Sequence, residues 1–186
     1  MTGGIVDRTE VRLAGEGGQG MILAGIILAE AATIYDGKMA VQTQSYGPEA
    51  RGGASRSEVV IADGEIDHPE VLSADVVVTL SQEAYDKYAA SVKLGGLLIV
   101  DDEKVSRILM TEAVRVPISR LALETTGKNI TANIVALGVL VGLTGVVSRQ
   151  AIEKAVAARV PRGTEEMNRK ALEAGFKAAE KVKVRK

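Results

Sequence analysis

The run Gly15-Glu16-Gly17-Gly18-Gln19-Gly20 places glycine at its first, third and sixth positions, the spacing of the dinucleotide-binding fingerprint. Glycine lets the backbone adopt a positive φ and approach a ligand closely, and a helix starting just beyond it offers free amides and the positive end of its dipole. The natural guest of such a loop is an anion or a phosphate. A dinucleotide site also needs an acidic residue at the end of the second strand, about 20 residues on, to bond the ribose hydroxyls. Here that strand ends at Gln44-Ser45, with Asp36 before it and Glu49 well beyond it. A nucleotidase loop would continue with lysine and a hydroxyl residue to reach phosphates and Mg²⁺, where this chain has Gly20-Met21. The chemistry narrows to phosphate or anion binding without the rest of the NAD fingerprint, beside the alternative that the glycines only let a helix pack closely on a strand.

A second loop, residues 44–56, carries Tyr46, Glu49, Arg51 and Arg56 among flexible glycines. That mixture suits recognition of a carboxylate or phosphate by charge-assisted hydrogen bonds; an internal Glu49–Arg51 or Glu49–Arg56 pair that stiffens the loop is the competing reading. The candidate ligand-binding residues are Gly15, Gly17, Gly18, Gln19 and Gly20 from the first loop, and Tyr46, Gly47, Glu49, Arg51 and Gly52 from the second. No residue stands out as catalytic, because no nucleophile is accompanied by an acid–base partner. His68, the one histidine, precedes Pro69 and suits a surface turn, and no cluster of metal-ligating residues is visible. Tyr85 and Tyr88, three apart on an expected helix, read as a packing pair rather than a base-stacking platform.

These loops need a scaffold. Residues 10–15 read as a strand entering the first glycine turn, and the apolar run 19–35 as the helix leaving it. A strand at 39–44 precedes the second loop, whose glycines and proline forbid regular structure. Residues 57–62 read as a strand, with Asp63-Gly64 as a hairpin turn into a short extension at Glu65-Ile66. Residues 75–80 and 97–100 look like fully buried strands, separated by a helix over 81–92 opened by Ser81. A last strand is expected at 114–118. From Ser119 onward the pattern is helical: an apolar helix over 130–143, one from Ser148, and one from Gly163-Thr164 towards Val182. The expectation is an α/β fold, a Rossmann-like doubly wound sheet with a helical carboxyl-terminal layer. A single domain is expected over 1–186, its sheet region in 1–118 and its helical layer in 119–182.

Composition bounds what such a domain does. The chain has 186 residues, 46% hydrophobic and only 3% aromatic, so the core must be built from Ala, Val, Ile and Leu, and apolar surface left over would suit a partner. A net charge of −1 gives no whole-protein pull towards nucleic acid or an anionic membrane. With no cysteine, the chain has no disulfide, no thiolate nucleophile and no cysteine ligand for an iron–sulfur cluster. The most apolar stretch, residues 130–143, is about 14 residues, short of the roughly 20 that cross a bilayer. No signal peptide is visible, and a cytoplasmic home is expected.

Taken together, the two loops and several further motifs resemble the gamma subunits, or gamma domains, of 2-oxoacid:ferredoxin oxidoreductases over nearly the whole chain. The resemblance rests on residues 15–20 and on Tyr46-Gly47-Pro48-Glu49-Ala50-Arg51-Gly52-Gly53, Ala74-Asp75 and Gln82-Glu83-Ala84-Tyr85-Asp86-Lys87-Tyr88. It continues through Gly95-Gly96-Leu97-Leu98-Ile99-Val100-Asp101, Asn133 with Ala136-Leu137-Gly138, Val160-Pro161 and Asn168-Arg169-Lys170-Ala171. Residues 42–53 look more like the 2-oxoglutarate-type than the pyruvate-type subunits. The resemblance implies a complex that decarboxylates a 2-oxoacid on thiamine diphosphate, sends electrons through iron–sulfur clusters to ferredoxin and delivers the acyl group to coenzyme A. Its other subunits are the implied partners, with ferredoxin met through the complex, and self-association of the isolated chain is a further expectation. The residues themselves assign none of those cofactors to this chain: cysteine is absent, and so is the thiamine signature, a Gly-Asp-Gly followed by paired asparagines. Against this stand a self-sufficient nucleotide-binding oxidoreductase, prompted by the glycine fingerprint, and a purely structural module, prompted by the apolar helix at 130–143.

Overall fold

The computed structural model describes residues 7–46 and 53–182. Six strands, β1 (Arg8–Glu16), β2 (Met39–Ser45), β3 (Ala54–Ala62), β4 (Ala74–Thr79), β5 (Val92–Asp101) and β6 (Val114–Val116), form one sheet in the order β2-β3-β1-β4-β5-β6. β1, β4, β5 and β6 are parallel, whereas β3 runs against both β1 and β2. The α/β expectation holds, with helices on both faces, but the sheet is mixed. β2 and β3 are consecutive and joined by too few residues for a crossover helix, so as neighbours they must be antiparallel.

The helices are α1 (Met21–Glu30), α2 (Gln82–Tyr88), α3 (Ile118–Thr126), α4 (Ala132–Thr144), α5 (Arg149–Arg159) and α6 (Glu165–Lys181). On one face of the sheet, Val11, Leu13, Val59, Val76, Val78 and Ile99 share a core with α1 and with α3 to α6. On the other, Val60, Val77, Leu98 and Val100 pack with Tyr85 of α2 and with Val71 and Val105 from irregular segments. The alternation along each strand divides these residues between the two faces. Every residue of α4 from Ala132 to Val141 is buried, which accounts for a helix apolar on all sides without any external partner. α6 is amphipathic and buries Asn168, Ala171, Leu172, Gly175, Phe176 and Ala179. α4 and α6 cross where Gly138 meets Gly175, so closely that a Cβ on Gly138 would sit 2.3 Å from the Leu172 carbonyl oxygen.

Several boundaries differ from the sequence pattern. β3 begins at Ala54, so Ala54, Ser55 and Arg56 belong to a strand rather than to the second loop. Asp63-Gly64 turns into no strand at 65–66. The segment after β3 is held irregularly instead, by Arg8 donating to the His68 carbonyl (2.7 Å) and Arg12 to the Val71 carbonyl (2.6 Å). The helix expected over 81–92 stops at Tyr88, because β5 already begins at Val92. The run 19–35 is α1 followed by a wider π-helical turn, Ala31–Tyr35.

Candidate functional site

The carboxyl ends of β1, β2, β4 and β5 share one edge of the sheet. β1 leads into α1 on one face and β4 into α2 on the other, so the adjacent parallel pair β1–β4 is a topological switch point, where open α/β sheets bind ligands. The glycine turn lies there. Gly15 and Glu16 are the last residues of β1, the Gln19 amide donates to the Glu16 carbonyl (3.1 Å), and Gly18 (φ 91) and Gly20 (φ 73) take the left-handed conformation that glycine permits. α1 then begins with the Ala24 amide donating to the Gly20 carbonyl at 3.0 Å. The amides of Met21, Ile22 and Leu23 precede that bond and have no partner within the helix. The first turn of α1 holds neither a side-chain cap nor an acid. α2, by contrast, has Ser81 accepting from the Ala84 amide and Glu83 in its first turn.

Two amide side chains fasten this turn. Gln19 accepts from the Glu16 amide through Oε1 (2.7 Å) and donates through Nε2 to the Leu80 carbonyl at the end of β4 (3.1 Å). Its polar atoms therefore brace the switch point. Asn133, in the first turn of α4, donates through Nδ2 to the Gly20 carbonyl at 3.1 Å. Asn133 is one of the residues that carry the family resemblance but was not among the expected ligand-binding residues, because its contact spans 113 positions of the chain. Ser55 adds a bond to the Gly15 carbonyl at 3.2 Å.

Of the second loop, Tyr46 lies at the end of β2, 64% exposed, with its phenol oxygen accepting from Gln44 Nε2 at 3.3 Å. Gly47, Glu49, Arg51 and Gly52 lie outside the described residues. The described flanks, Ser45 paired with Arg56 and Ala54 paired with Glu16, meet the sheet edge that carries the glycine turn. Arg56 is directed at the α2 face, 5.6 Å from the Tyr88 ring centroid and 3.7 Å from Glu58. Glu58 in turn forms a buried pair with Arg12, with Nη2–Oε1 at 2.6 Å.

The remaining candidates take structural roles. Asp36, considered as a ribose acid, accepts from the amide (2.5 Å) and hydroxyl (2.6 Å) of Ser148 at the start of α5. Tyr85 and Tyr88 are both buried but in separate clusters. The Tyr85 phenol accepts from the amides of Leu109 (2.8 Å) and Met110 (3.0 Å), while the Tyr88 ring faces Arg12 and Arg56. Burial pushes the Asp101 carboxyl up, against the pull of the Ser119 hydroxyl (2.5 Å) and the amides of Glu103 and Ser119; this carboxylate clamps the start of α3. His68 is exposed and lines an open cavity of about 790 Å³ with Arg8, Glu10, Glu65, Asp67 and Glu70. That cavity lies at the amino end of β1, away from the glycine turn, and its carboxylates suit it poorly to a phosphate. Among the described residues, no group of three or more metal-ligating side chains converges and no helix is long and apolar enough to cross a membrane.

A sequence profile of the family described as pyruvate ferredoxin/flavodoxin oxidoreductase matches residues 10–178. The chain belongs to that family. A 2-oxoglutarate synthase subunit KorC of Methanocaldococcus jannaschii is 52% identical to this oxidoreductase chain, the match covering 94% of it and 96% of the relative. A subunit of the same name from Methanothermobacter marburgensis is 52% identical over 90% of the chain and 95% of the relative. The solved gamma subunit of a keto/oxoacid ferredoxin oxidoreductase from Geobacter sulfurreducens superposes with a TM-score of 0.86 at 52% identity, covering 94% and 97% of the two chains. This family member is a gamma-type subunit of a 2-oxoacid:ferredoxin oxidoreductase, in the 2-oxoglutarate-type branch.

Proposed function

We propose that this chain is the non-redox gamma subunit of a complex that oxidatively decarboxylates 2-oxoglutarate, forming acyl-CoA and CO2 and reducing ferredoxin. Within it, the glycine turn and the loop at residues 46–52 cradle the phosphate-bearing part of coenzyme A. The observation that carries this reading is a glycine turn at a topological switch point, with the uncapped start of α1 directly after it and, among the described residues, no nucleophile paired with an acid–base partner beside it. Thiamine diphosphate and iron–sulfur clusters do not fit this chain: it has no cysteine to ligate a cluster and no Gly-Asp-Gly signature for the thiamine pyrophosphate. Companion subunits supply those groups and the electron path, and the chain acts as one domain within a cytoplasmic assembly.

The test uses Gly17→Asp. Gly17 has nothing within 4 Å of a built Cβ and no positive φ, so the variant folds and places a negative charge where the phosphate would sit. In the reconstituted complex, KM for coenzyme A should rise about tenfold or more, with kcat and KM for 2-oxoglutarate little changed. Unchanged KM for coenzyme A with intact assembly would refute the cradle. Loss of assembly would instead mean that the turn braces a neighbouring subunit.

A further inference from the structure

The Gly20 carbonyl and the Met21 amide belong to one planar peptide unit. Whatever holds that carbonyl therefore aims the Met21 N–H in the opposite direction. The carbonyl is held twice, by the Ala24 amide at 3.0 Å inside α1 and by Asn133 Nδ2 at 3.1 Å from α4. Asn133 is 4% exposed, and its Oδ1 is committed to the Ile134 amide at 2.9 Å, which leaves Nδ2 facing Gly20. α4 gives this side chain a fixed base, because the Gly138–Gly175 crossing seats it directly on α6. The need for such a hold follows from the turn itself: Gly18 and Gly20 are both left-handed, and glycine peptides reorient with little steric resistance.

We propose that Asn133 is a positioning residue. By gripping the Gly20 carbonyl from α4, it keeps the Met21 amide and the start of α1 aimed out of the switch point at the anion. The ligand's identity rests on the coenzyme A reading above, but the tether does not. Asn133 touches no ligand; it acts through the peptide that does. The fit is close, since a Cβ on Gly20 would lie 2.6 Å from Nδ2 of Asn133.

The experiment uses the assembled complex carrying Asn133→Ala, and in parallel Asn133→Asp, which keeps the shape and an acceptor but lacks the donor. Amide hydrogen exchange is followed in peptides covering residues 17–23 and in the interior of α4, alongside kcat and KM for coenzyme A and 2-oxoglutarate. In both variants the turn should exchange faster while the α4 interior does not. KM for coenzyme A should rise about tenfold with kcat within about twofold of the parent. Unaltered exchange in the turn overturns the proposal whatever the kinetics. So does faster exchange spread through α4 with both KM values moving together, the mark of general loosening. Faster exchange confined to the turn with an unchanged KM for coenzyme A leaves the tether standing and removes coenzyme A as its ligand.

Discussion

Gly138→Ala tests the packing that fixes α4, and through α4 the glycine turn. A Cβ at this position would lie 2.3 Å from the Leu172 oxygen, 2.9 Å from Gly175 Cα and 3.1 Å from the Phe176 nitrogen. All three obstacles are backbone, so no side chain can swing aside. Restoring ordinary contact moves α6 away from α4 by about 1 Å, a gap that forfeits a quarter to a half of the dispersion energy of the atoms lining it. Overpacking of this kind costs about 1–3 kcal/mol, and alanine returns about 1 kcal/mol through helix propensity. Because the obstacles are backbone, the upper part of that range applies and the net loss is about 1–2 kcal/mol. Thermal and urea denaturation of the isolated chain would report it as a fall in Tm of about 2–8 °C for a chain of this size. Gly175→Ala meets the Val135 oxygen at 2.2 Å and should cost a similar amount, but the double variant should lose less than the sum, since one displacement admits both methyls. A Gly138→Ala protein that gained about 1 kcal/mol, as propensity alone dictates, would refute the backbone-to-backbone crossing.

Two further outcomes follow from buried charge. Glu58→Gln removes the carboxylate charge that balances the buried Arg12 guanidinium and leaves it only neutral acceptors such as the Val71 carbonyl, and should destabilise the fold by about 3–5 kcal/mol in denaturant titrations; replacing both partners by leucine should cost much less. Asp101 has its carboxyl raised above 3.8 chiefly by burial, so the folded state holds this proton more tightly than the unfolded chain. Its contribution to stability is thus fully present below the unfolded pKa and is lost as pH rises through the folded value. Unfolding free energies of the parent relative to Asp101→Asn should therefore fall as pH rises out of the carboxylate range, and a flat difference would contradict the burial argument.

Much of the fold was legible because its determinants are local. The β-branched runs of β4 and β5, the Ser81 and Ser148 caps that accept from the amides of Ala84 and Ala151, and the glycine turn all depend on residues close in the chain. The unbroken apolarity of α4 announced burial, although it could not say whether α6 or another protein would cover it. The errors fell where long-range contacts override local preference. Asp63-Gly64 has the composition of a hairpin turn, but Arg8 and Arg12 reach across from β1 to hold the carbonyls that follow it. Arg56 reads as a loop cation, yet pairing with Ser45 and Ala14 draws it into β3.

The same division runs through the site. By itself the sequence determined that residues 15–20 turn the chain from a strand into a helix, since glycine spacing between the two is a property of adjacent residues, and that this chain cannot ligate a cysteine-bound cluster. Only the tertiary structure decided how that turn is held. Gln19 spends both polar atoms on the protein, Asp36 is taken by Ser148, and Asn133 reaches Gly20 from 113 positions away. Hydrogen-bond partners are fixed by distance in space, and the packing of α4 on α1 and α6, not the order of residues, brings that donor within 3.1 Å of its carbonyl.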